Sequence, residues 1–119
     1  MKLAVSTGGK NLNAPMDERF GRAVGFIIFD TSTGSYEYID NEKNMDSAQG
    51  AGIQSAKTVI DAGAAILITG NVGPKAYAAL ATAGIEIYLK NGGTVGEAIE
   101  AYRSGSLSNT PEANVEGHW

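Results

Sequence analysis

The chain reads as an α/β domain, and three observations predict it. Short apolar runs of strand length alternate with helical periods, helix–glycine–strand occurs twice in succession in the second half, and a hairpin signal sits in the first. The repeated unit predicts parallel strands joined by right-handed crossovers, because that hand packs a helix back onto a twisted sheet. The hairpin adds antiparallel strands, so the expected product is a mixed sheet with helices covering it.

Residues 3–6 read as a short buried strand and residues 24–30 as a second. Thr31-Ser32-Thr33-Gly34 has the composition of a tight turn, and residues 36–40 alternate apolar and polar behind it, which completes the hairpin. Residues 52–62 place Ile53, Ala56, Val59 and Ile60 on one helical face, with Gly63 in the stop position. The continuous apolar run 64–68 is expected of a strand buried on both sides. Gly73-Pro74 opens a second helix, carrying Tyr77 and Leu80 inward and stopping at Gly84; residues 85–89 form the next strand. Thr94-Val95-Gly96-Glu97 has the spacing of a capping box and opens a third helix that ends near Gly105. Residues 1–107 are expected to be one domain and residues 108–119 a loosely attached tail; the polar loop 8–15 is expected to be mobile.

At 119 residues and 43% hydrophobic content the chain is long enough for one core without staples. With 18% charged residues it is neither disordered nor coiled-coil in character. It has no cysteine, which excludes disulfides, thiolate catalysis and cysteine-held metal or iron–sulfur sites. The apolar run at Met1–Ser6 is too short for a signal peptide or membrane span, so a cytoplasmic protein is expected. A net charge of −4 argues against general nucleic-acid affinity, and any basic site must be local.

Three segments are candidates for ligand binding. Thr69-Gly70-Asn71-Val72-Gly73-Pro74-Lys75 joins a buried strand to a helix, where free amides and the helix dipole stabilise an anion and Lys75 adds charge; the turn would equally need its glycines for geometry alone. It lacks Walker spacing. Gln49-Gly50-Ala51-Gly52 opens the preceding helix with bare amides, but lacks the third glycine of a dinucleotide fingerprint. Arg19 and Arg22 flank Phe20 and Gly21 after the first strand; they suit a large, weakly hydrated anion, or a salt bridge to Asp17 or Asp30. The single histidine, His118, cannot by itself build a metal site or a triad, and no carboxylates converge from the first strand or from 64–68.

With these residues in view, the chain resembles the dinitrogenase iron–molybdenum cofactor family. The likeness rests on Leu3-Ala4-Val5-Ser6, on Asp17-Glu18-Arg19-Phe20-Gly21-Arg22 followed by Ala23, and on the Asn41 region. It continues through Gly50-Ala51-Gly52, Gly70-Asn71-Val72-Gly73-Pro74-Lys75-Ala76, Leu80, Gly84-Ile85, Thr94-Val95 with Glu97-Ala98-Ile99, and Gly105-Ser106-Leu107. The resemblance implies a ribonuclease H-like fold with a five-stranded mixed sheet flanked by helices. It implies non-covalent binding of an iron–molybdenum cofactor precursor or a molybdenum–copper sulfide cluster, and a protein partner in a complex associated with cell division. Many members carry histidine where this chain has Arg19, so a histidine–metal bond at that position is impossible here.

The reading is a non-catalytic carrier or store of an anionic metal–sulfur cluster. Arg19, Arg22 and Lys75 would supply charge; Gly50, Ala51 and Gly52, and Gly70, Asn71 and Gly73, would supply backbone amides around Gly21; Phe20 and Met45 would be apolar contacts. The rival is a regulatory or scaffold domain that binds a protein partner and no ligand.

Overall fold

A computed structural model describes residues 1–45, 51–110 and 113. Five strands, β1 (Lys2–Thr7), β2 (Gly25–Asp30), β3 (Tyr36–Asp40), β4 (Ile66–Thr69) and β5 (Glu86–Leu89), form one sheet in the order β3-β2-β1-β4-β5. β1 pairs antiparallel with β2 and parallel with β4; β2–β3 is antiparallel and β4–β5 parallel. The sheet is therefore mixed and five-stranded, as expected, and its order is compatible with a ribonuclease H-like arrangement. Among the described residues four helices accompany it: α1 (Glu42–Met45), α2 (Ala51–Asp61), α3 (Pro74–Thr82) and α4 (Val95–Arg103), besides a 3-10 turn at Phe20–Arg22. The sequence reading contained no α1; four residues are too few to show a period.

Side chains alternate across the strands and build two cores. Ala4, Phe26, Ile28, Leu67 and Ile87 pack against α2 and α3 through Ala56, Val59, Ala76 and Leu80. On the other face Leu3, Val5, Ile27, Phe29, Ile66 and Ile68 pack against α4 through Val95, Ala98 and Ile99. β1 and β4 are buried on both sides, which is why their sequences run apolar without alternation.

One expectation is corrected, and two segments of polar composition carry contacts that composition did not show. Ile53 is 43% exposed, because the buried stripe of α2 is centred on Ala51, Ser55, Ala56 and Val59. Ser55 turns that face inward: with Asn41 it forms a buried hydroxyl–carboxamide pair, and Asn41 Nδ2 also donates 2.9 Å to the Ala23 carbonyl. The 8–15 loop makes specific contacts with α4 and the second core. Its Leu12 and Ala14 carbonyls accept the Gly96 and Val95 amides of α4 at 2.8 and 2.9 Å, Ala14 is buried, and Leu12 packs on the second core. At 109–110 the C-terminal segment is bound to the open edge of β5. Thr110 N–H donates 2.7 Å to the Ile87 carbonyl, Ile87 N–H donates to Asn109 Oδ1, and Tyr77 Oη donates to the Thr110 carbonyl.

No helix among the described residues is long and apolar enough to cross a membrane.

Candidate functional site

The parallel strands β1 and β4 lie side by side, yet the chain leaves them in opposite directions across the sheet, β1 toward β2 and β4 toward β5. Such a switch point opens a crevice at the carboxyl ends of the strands, because the two outgoing loops diverge there. Here those loops are residues 8–24 and 70–73. Beneath them Ser6 and Thr69, both fully buried, join the strand ends through hydroxyls 2.8 Å apart, and Ser6 Oγ donates to the Asp17 carbonyl. Polar residues closing two otherwise apolar strands are the signal that would have singled them out.

The loops are held to each other closely. A Cβ on Gly70 would lie 2.7 to 2.8 Å from Glu18 Cβ, Cα and O, so only glycine lets the Glu18 backbone pass over it. Arg19 and Asn71 form a parallel bridge, Phe20 N–H donates 3.1 Å to the Asn71 carbonyl, and Asn71 Nδ2 donates 3.1 Å to the Glu18 carbonyl. Behind them, Gly21 backs onto the first turn of α2: a Cβ there would stand 3.0 Å from Gly52 N and 3.4 Å from the Ala51 carbonyl carbon. Gly52 in turn faces the first turn of α3, its would-be Cβ 3.2 Å from Ala76 Cβ.

Helices that lead into or out of parallel strands run antiparallel to them, so α2 and α3 both begin at this end of the sheet. Their positive dipole ends lie together. Gly73 caps α3 without a side-chain hydrogen bond, and Pro74 follows at the first helical position. Lys75 is exposed in that first turn. At the start of α4, Ala14, Leu12 and the Thr94–Glu97 capping box take the first amides. The Thr94 backbone N–H at 2.8 Å from Glu97 Oε1 holds that carboxyl below its ordinary range, helped by the Thr94 hydroxyl.

A cleft of about 490 Å³ opens beside this junction, lined by Gly8, Pro15, Met16, Asp17, Glu18, Arg19 and Asn71. The Arg19 side chain is 53% exposed, and its Nε lies 3.7 Å from Asp17 Oδ1, an oxygen that also accepts the Arg19 backbone N–H at 2.9 Å. The alternative of an Asp17 salt bridge therefore holds in a loose form, with about half of the Arg19 side chain open to solvent. Arg22 is half-buried at the end of the 3-10 turn, its N–H 3.2 Å from the Arg19 carbonyl.

Of the residues singled out from sequence, Arg19, Gly21, Arg22, Ala51, Gly52, Gly70, Asn71, Gly73 and Lys75 stand on these adjoining loops and helix starts. Phe20 is a correction. Its ring is 2% exposed, with its centroid 5.4 Å from that of Phe26, so it belongs to the core and presents no face to a ligand. Gly50, the Met45 side chain and His118 lie outside the described residues. The cleft also includes Asp17 and Glu18, carboxylates that sequence reasoning treated only as counter-ions or passed over. No three His, Cys, Asp or Glu side chains come together among the described residues in a metal-holding group.

The family model described as dinitrogenase iron-molybdenum cofactor matches residues 1–105. The apo form of the orange protein from Desulfovibrio gigas superposes with a TM-score of 0.93 at 38% identity, over 96% of each chain. A Thermotoga protein provisionally named NifB superposes with a TM-score of 0.86 at 36% identity, over 98% of each chain. An uncharacterised protein of Methanocaldococcus jannaschii is 30% identical over 110 residues, 90% of this chain and 89% of that one.

Proposed function

The chain belongs to the dinitrogenase iron–molybdenum cofactor family, and from that premise we propose that it is a non-catalytic holder of an anionic metal–sulfur cluster, an iron–molybdenum cofactor precursor or a molybdenum–copper sulfide, carried as cargo. The observation that supports this most is the junction at the carboxyl ends of β1 and β4, where the exposed Arg19 guanidinium stands on loops packed against the adjoining starts of α2 and α3. A cluster that brings its own sulfides needs no cysteine, and this chain has none. Arg19, Arg22 and Lys75 would hold it by charge, and the first-turn amides of α2 and α3 by hydrogen bonds. A weakly hydrated sulfide surface suits a guanidinium better than a compact ammonium. The protein would bind, orient and shield the cluster without transferring a group to it. We place it in the cytoplasm, with a protein partner to deliver to.

The test is to mix the protein with tetrathiomolybdate and copper. A coloured, stoichiometric complex that survives gel filtration is expected. Arg19→Ala should weaken it by about tenfold, the low end for a charge-assisted contact, because the side chain is about half in solvent and shares its charge with Asp17. Lys75→Ala should weaken it too, Arg19→Lys should restore binding in part, and His118→Ala should leave it unchanged. If His118→Ala abolished the complex while both basic-site variants bound normally, the ligand would be held elsewhere. A second reading, a scaffold that binds a protein partner and no ligand, is favoured by the exposed Ile53 in the first turn of α2. Protein that stays colourless with the probe supports that reading.

A further inference from the structure

The peptide units on either side of Arg19 are both tied to one residue. Asn71 Nδ2 donates 3.1 Å to the Glu18 carbonyl, and the Asn71 carbonyl accepts the Phe20 N–H at 3.1 Å. The remaining two backbone groups are also bonded: Arg19 N–H donates to Asp17 Oδ1 at 2.9 Å, and the Arg19 carbonyl accepts the Arg22 N–H at 3.2 Å. Arg19 itself is extended, at φ −107° and ψ 105°. Gly70 lets this clamp close, since any Cβ there would push Glu18 away. The Arg19 side chain carried on this fixed backbone is 53% exposed, and among the described residues its guanidinium is ion-paired loosely to Asp17, Nε to Oδ1 at 3.7 Å.

A backbone bonded at all four of its polar groups does nothing for an arginine that only keeps the surface soluble. It lowers the entropy cost of placing the guanidinium against something. We propose that Asn71 is a positioning residue, whose carboxamide and carbonyl clamp the 18–20 backbone so that Arg19 meets the ligand already oriented. This rests on the reading of Arg19 as a ligand contact and assigns Asn71 a role through Arg19, in place of direct contact with the cluster.

Two measurements test it. Without ligand, amide exchange at Arg19 and Phe20 should be faster in Asn71→Ala than in the native protein. With tetrathiomolybdate and copper as the probe, Asn71→Ala should lose roughly two- to tenfold in affinity, the equivalent of ordering one long side chain. In an Arg19→Ala background the same change should cost nothing further, because a positioning residue has no effect once the group it positions is gone. Gly70→Ala, which opens the clamp from the other side, should show the same dependence on Arg19. Equal losses with and without Arg19 would overturn the proposal, as would unchanged exchange at both amides. If the native protein does not bind the probe, the cluster-holding reading falls and takes the purpose of the clamp with it; binding with additive losses overturns the clamp alone.

Discussion

Phe20→Leu separates a core aromatic from a ligand-contacting one. The Phe20 ring is 2% exposed, packs in the core beneath α2 and α3, and meets Phe26 tilted at 46° with centroids 5.4 Å apart. Leucine keeps the site apolar but removes the aromatic pair, which contributes about 0.5–1.5 kcal/mol, and leaves a small residual cavity. Together these predict a loss of about 1–2 kcal/mol. For 119 residues the unfolding entropy near the midpoint is about 0.25 kcal/mol/K, so Tm should fall by roughly 4–8 °C. Thermal unfolding followed by circular dichroism reads this directly, and titration with tetrathiomolybdate and copper on the same sample reads binding, which should stay near the native value. An unchanged Tm together with abolished binding would refute the placement of the ring in the core and restore Phe20 as a ligand wall.

The capping box makes a pH prediction. Because the Thr94 backbone N–H lowers the Glu97 pKa on folding, that group stabilises the fold above its unfolded-state pKa, and the contribution is lost as pH falls through the lower, folded-state value. Tm measured across the acidic range should therefore fall less steeply in Glu97→Gln than in the native protein; identical slopes would count against it. Truncation after Ser108 should uncover the β5 edge now paired by Asn109 and Thr110. Faster exchange at Ile87 and concentration-dependent self-association in light scattering are expected, since a bare edge templates further pairing. A truncated chain that stays monomeric with Ile87 protected would show that the edge needs no cover.

Elements whose signal is local were legible. The apolar runs of β1, β2 and β4, the turn at 31–34, the stop positions Gly63 and Gly84, and the Thr94–Glu97 box each depend on a few neighbouring residues. The candidate glycines and Arg19 were legible for the same reason, as a strand-to-helix turn and a basic loop. The rest needed partners distant in sequence. Ile53 has the right helical spacing to be buried, but Ser55 bonds Asn41 fourteen positions away and sets which face of α2 turns inward. The 8–15 loop is polar in composition, but it supplies the carbonyls that the start of α4 lacks. Phe20 sits between two arginines, a pattern that suits a ligand pocket equally well, until Phe26 takes its ring into the core.

What the sequence determined by itself is the alternation of strand and helix and the chemistry on offer: no thiol, two arginines in one loop, glycine-rich entries to two helices. Periodicity and turn residues act over one or two turns of chain, so reading them needs no knowledge of what lies across the sheet. Only the tertiary structure decided that these groups meet, because the meeting place is created by strand order. β1 and β4 are neighbours though more than fifty residues apart, and their outgoing loops touch where Gly70 admits Glu18 and Asn71 brackets Arg19. A contact of that kind depends on side-chain volume and backbone approach between distant segments, and neither is written in the residues on one side of it alone.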